Sequence, residues 1–196
     1  MLVRAEDADV IFQSVDGVQY HIHRKNLQCC AAAFPPDEFE SDKHEIMHLP
    51  EISRCLDLLF AFMYPEPTPD VRSMPIDVVI DLAEAAEKYQ AFAVMTICKL
   101  KMTYVLLPVS LAIFNFHSAM FNDHAIEVLQ YAASHYDRDL LDVVAPVAMT
   151  KPLDTVILGL SPHVAITWVS AQSVAFYLPD PYYDFRSNTI RNGATH

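Results

Sequence analysis

Glycine is nearly absent: Gly17, Gly159 and Gly193 are the only three in 196 residues. Loops that cradle phosphates need clustered glycines, so that backbone N–H groups can approach the anion. None cluster here, which excludes Walker-A and Rossmann enzymes. No G-x-S-x-G nucleophile elbow occurs either. Positive charge is also short, with 13 Lys+Arg against 25 Asp+Glu and a formal net charge of -12. An acidic surface repels phosphate backbones, and no Lys/Arg stripe compensates, so a nucleic-acid partner is not expected. The four cysteines (Cys29, Cys30, Cys55, Cys98) form no C-x-x-C pair. The opening "MLVRAEDADV" is charged and carries no apolar signal region. Together these predict an intracellular protein, cytoplasmic and/or nuclear, with reduced and mostly buried thiols.

What is present is apolar. The chain is 53% hydrophobic and 19% charged, with mean hydropathy +0.18. That suffices for a buried core and argues against disorder. The run "VLLPVSLAIFNFHSAMF", 105 to 121, is broken by Pro108, Asn115 and His117. It is read as a buried helix rather than a membrane span, whose mark would be detergent-dependent solubility.

Periodicity places the elements. "DVIFQSVDGVQYHI" alternates around Asp16-Gly17, which predicts two antiparallel strands joined by a tight turn. "HRKNLQCCAAAFPP" spaces Leu27, Cys30, Ala31 and Phe34 as a short helix, stopped by Pro35-Pro36. "EIMHL" reads as a third strand. Ser53 is the expected N-cap of "RCLDLLFAFMY", whose Leu56, Leu59, Phe60 and Met63 share a face. From Pro75 a longer helical region runs on, with a break near Gln90. Beyond it, "AIEVLQYAASHY", "RDLLDVVAPVAM" and "PLDTVILGL" predict short helices cut by Pro146, Pro152 and Pro162. The expected division is 1–104, a helical extension over 105–178 and a tail over 179–196.

Several side chains invite chemistry. His44, Glu45 and His48 spell H-E-x-x-H, in which two histidines one helical turn apart grip zinc and the glutamate acts as base. Pro50 lies too close for that helix, and read as a strand the motif points Glu45 away from both histidines. His21 and His23 with Cys29-Cys30 form a second conceivable metal set. Its simpler reading is a hydrogen-bonded His23 and cysteines packed as small apolar groups. No metal or cofactor is expected. Asp9 begins an apolar strand, so its carboxylate needs backbone N–H groups or a cation, with Arg24 or Lys25 as candidates. Phe34, Phe39 and Tyr64 end helices or sit in loops; each is core or part of a partner surface. The acidic run Asp37, Glu38, Glu40, Asp42 is a solvated loop or steers a basic partner.

The order strand, Asp-Gly turn, strand, helix, strand, helix, long helix resembles a BTB/POZ domain. "DVIF", "DGVQYHIHRKNL", Phe34, "HLPEISRCLDLLFAFMYPEPTPD" and "LAEAAEKYQAFAVMTICKLKM" carry the resemblance, over roughly 9 to 102. The "YPEPTPD" variant and the helices behind it look most like the expanded BTB proteins of mushroom-forming fungi. The resemblance implies an α+β fold: a small sheet with surrounding helices, followed here by an all-helical C-terminal extension. It implies protein partners, a homodimer and cullin-3 among them, and no catalytic residues. The alternative is a transcriptional co-regulator or scaffold; a zinc hydrolase on His44, Glu45 and His48 is the remote one. It also implies a place near the partner groove for Asp9 and Arg24, with Phe34, Phe39 and Tyr64 as further interaction candidates. Two departures stand out. Only eight residues precede Asp9, so the swapped N-terminal helix of many dimeric members is not expected. The hydrophobic-x-Glu motif of cullin-binding members finds no clean match in "FPPDEFESDKHE".

Overall fold

The computed structural model describes residues 7–34, 46–106 and 124–177, and two short strands at 183–184 and 189–190. The chain divides into two compact units, Met1–Tyr104 and Val105–His196.

The first unit is α+β. Its elements are β1 (Val10–Gln13), β2 (Gln19–Ile22), α1 (Arg24–Cys30), β3 (Ile46–His48), α2 (Ser53–Ala61), a 3-10 turn (Val71–Ser73), α3 (Ile76–Tyr89) and α4 (Phe92–Leu106), the last running just past the division. The sheet order is β2-β1-β3, with β1 antiparallel to β2 and parallel to β3. The hairpin forms where Asp16-Gly17 predicts it. Gly17 takes φ 83, a left-handed conformation that glycine adopts without a Cβ clash. The turn closes by Gly17 N–H donating to the Ser14 carbonyl at 2.9 Å. Ser14 is buried, and its hydroxyl accepts from Val18 N–H at 3.0 Å, so the hydroxyl is not left unpaired.

Alternation then builds the core. Val10, Phe12, Tyr20 and Ile22 all point inward. Cys55, Leu56, Leu59 and Phe60 on α2 meet them, and α3 lays Val79, Leu82, Ala83 and Ala86 against α2. Phe60 rings lie 5.7 Å from Phe12 and 5.2 Å from Tyr20. Burying such a side chain is worth about 1.5–3 kcal/mol. Glu51 locks the periphery: it accepts from Lys88 Nζ at 2.6 Å and from the Tyr89 hydroxyl at 2.7 Å. Burial and this carboxylate push the Tyr89 phenol pKa upward.

Two local expectations in this unit need correction. α1 stops at Cys30, five residues before Pro35, because Ala32 and Ala33 N–H donate to the Gln90 and Tyr89 carbonyls at 3.3 and 3.1 Å. Those carbonyls end α3 and would otherwise lack partners. α3 itself closes on Gln90 with φ 55, the break expected there. Ser53 is not the cap of α2. Ile52 holds that position without a side-chain bond. Asp16 caps the helix from the hairpin turn instead, accepting from Ser53 N–H at 2.8 Å and from its hydroxyl at 2.5 Å.

The second unit is mainly helical: α5 (Ala125–Ser134), α6 (Arg138–Ala148), α7 (Leu153–Gly159) and α8 (Pro162–Tyr177), then β4 (Tyr183–Asp184) paired antiparallel to β5 (Thr189–Ile190). Asp137 caps α6 by accepting from Leu140 N–H at 3.1 Å. Pro146 does not cut that helix as expected. It lies in the last turn, where its missing N–H forfeits a single ladder bond. Gly159 permits the closest approach: a Cβ there would lie 2.6 Å from Ile126 Cγ2 on α5. No helix among the described residues is long and apolar enough to cross a membrane. Most of the 105–121 run lies outside the described residues.

Candidate functional site

The N-terminal end of α1 gathers three of the five interaction candidates: Asp9, Arg24 and Tyr64. A seven-residue helix presents unsatisfied N–H groups at its start, and His23, at the N-cap, offers no side-chain bond to them. Asp9, just before β1, satisfies one of them, its Oδ1 accepting from Arg24 N–H at 2.7 Å. The carboxylate at the start of an apolar strand is thus satisfied by a backbone donor on the residue whose guanidinium was a candidate partner.

Tyr64, just past α2, reaches the same place. Its hydroxyl accepts from His23 N–H at 3.1 Å and lies 3.2 Å from His23 Nδ1. His23 Nε2 sits 2.8 Å from Asp7 Oδ1. With a neutral His23 ring, Tyr64 O–H donates to Nδ1 and Nε2–H donates to Asp7. Burial raises the Tyr64 pKa. The His23 hydrogen bond holds the Asp7 carboxyl below the usual range. His23 is half-buried and Asp7 is 87% exposed. The cluster therefore runs from an ordered base to a charged, solvent-facing rim. It offers carboxylates and hydrogen-bond groups at that rim.

The other two candidates do not join it. Phe34 is 6% exposed and belongs to the core. Its ring stacks on Tyr89, with centroids 4.5 Å apart and planes at 4°, and lies 5.5 Å from Phe12. Phe34 is thus unavailable as a docking residue on the surface of this chain. Phe39 and the acidic run 37–42 lie outside the described residues.

The metal-like motifs fare separately. Ile46–His48 is a strand, with Ile46 and His48 on the exposed face. The helix required by H-E-x-x-H is therefore not formed at its second histidine; His44 and Glu45 lie outside the described residues. Cys29 is exposed and Cys30 half-buried, and burial raises the Cys30 thiol pKa. Among the described residues no three His, Cys, Asp or Glu side chains are grouped to hold a metal ion.

Sequence reasoning missed Asp7 as a partner of His23 and Asp16 as the cap of α2. Each lies far along the chain from its partner, beyond any local pattern.

A BTB/POZ domain model matches residues 2–105, just over half of the chain. The chain belongs to the BTB/POZ family. No curated protein matches it. The BTB match covers the hairpin, β3, α1 to α3 and nearly all of α4, and with them the whole Asp7–Asp9–His23–Arg24–Tyr64 cluster. BTB domains mediate protein–protein interaction and are generally non-enzymatic, and the chain carries such a module. The helices α5 to α8 follow beyond the matched span.

Proposed function

We propose that this BTB protein is a self-associating adaptor that docks a partner protein at the N-terminal end of α1. Asp9, Arg24 and Tyr64 form the docking cluster, and cullin-3 is the ligase component it serves. The observation that carries the reading is the BTB match over residues 2–105, since that family works by surface burial. The cluster supports it: a half-open rim of charge on a hydrogen-bonded base suits recognition. Phe39 is assigned to the cullin contact, and the protein to cytoplasm or nucleus. The "YPEPTPD" loop and the trailing helices are read as those of the expanded BTB set of mushroom-forming fungi.

Capture of purified cullin-3 by the full chain tests the adaptor role. Binding that is lost in Phe39→Ala supports it. No capture at micromolar protein overturns it and leaves the scaffold or co-regulator role. The solution mass tests self-association, with a dimer expected. Elemental analysis addresses the zinc hydrolase: below about a tenth of an equivalent of zinc, that alternative ends.

A further inference from the structure

In the second unit, α6 and α8 both pack on α5 and leave a cavity of about 570 Å³ between them. That size lies within the range of small-molecule sites, roughly 300–1,000 Å³. Its walls are mainly apolar, with Leu129 on α5, Leu141 and Ala145 on α6, Val164 and Trp168 on α8, while α8 also brings His163 and Thr167. Lining residues on α6 run from Arg138 to Met149, which at 1.5 Å per residue is about 16 Å. A cavity of that volume and length accommodates a slim apolar chain.

The charge at its edge selects the head group. Arg138 lines the cavity and is exposed. Among the described residues its guanidinium has no ion-pair or hydrogen-bond partner. Asp142 lines the same wall one turn on and already interacts within the chain. An anionic head seats on Arg138 in charge-assisted hydrogen bonds, with the apolar chain along Leu141, Ala145 and Trp168. We propose that the helical unit binds an amphipathic carboxylate, a slim apolar chain ending in one anionic group, between α6 and α8.

Trp168 is the only tryptophan in the chain and lines the cavity, so its emission reports occupancy. The full chain is titrated with dodecanoate below its micelle concentration. A saturable, stoichiometric change in Trp168 emission is expected. Arg138→Gln should weaken binding about tenfold, the scale of one lost charge-assisted contact. Ala145→Phe should abolish it by filling the slot. Dodecyltrimethylammonium should not reproduce the change. No saturable change, an equal response to the cationic amphiphile, or unaltered affinity in Arg138→Gln would overturn the proposal. So would an emission change that follows protein concentration alone, because a second copy would then fill the slot. If Ala145→Phe fails to fold by circular dichroism, the exposed Arg138→Gln still decides.

Discussion

Asp16 and Ser53 lie 37 residues apart in sequence, yet the turn carboxylate accepts the Ser53 N–H at 2.8 Å and begins α2. Hydrogen bonds from Ser53 and then Ser14 lower the Asp16 pKa to about 2. A carboxyl depressed in the folded state adds stability above its unfolded pKa, near 3.9, and loses it as pH falls through the folded value. The expected window is therefore from about pH 4 down to about pH 2. Asp16→Ala should lower Tm at pH 7 and flatten the acid limb in this window. Thermal unfolding across pH checks both; a limb identical to wild type would contradict the cap.

Phe34 is expected to act on stability. Phe34→Ala removes a ring stacked on Tyr89 and 5.5 Å from Phe12. It should cost about 3–5 kcal/mol in denaturant unfolding. Phe34→Leu should cost much less. A loss below 1 kcal/mol for alanine would return Phe34 to the surface.

Gly159→Ala should destabilise the helical unit by about 1–3 kcal/mol, because its Cβ would meet Ile126 at 2.6 Å. Ile126→Ala removes the Cγ2 methyl that the new Cβ would meet and should give part of the loss back. Urea unfolding of the two single variants and the double variant reads the coupling. Additive effects would show that the contact is not the cause.

The thiols should separate by reactivity. Cys29 is exposed, whereas burial pushes Cys55 and Cys98 up to about 12. Brief alkylation near pH 8 with peptide mass spectrometry should label Cys29 and spare Cys55 and Cys98 until the protein unfolds. Equal labelling of Cys55 in the native protein would contradict its burial.

The parts of the fold legible in the sequence were local. The alternation around Asp16-Gly17, the apolar face of α2 and the break at Gln90 each depend on neighbouring residues, and each forms as read. What the sequence hid depends on distant partners. Where α1 ends is decided by the Tyr89 and Gln90 carbonyls, and the α2 cap comes from another element. Pro146 misled because its position within the turn matters more than its identity. Asp9 was legible as a carboxylate needing a donor. That Tyr64 and Asp7 would converge on His23 was not, since only the packed α2 brings Tyr64 there.

A partner that docks on the cluster at the start of α1 should be released when the charges there are changed. Asp9→Asn keeps an oxygen for Arg24 N–H while removing the charge, and Arg24→Glu reverses the neighbouring charge. The double variant and the wild type are used to affinity-purify partners from the native cell, with quantitative mass spectrometry. One or more wild-type partners should be lost from the double variant while its circular dichroism and Tm stay unchanged. An identical set of partners at equal abundance would contradict it.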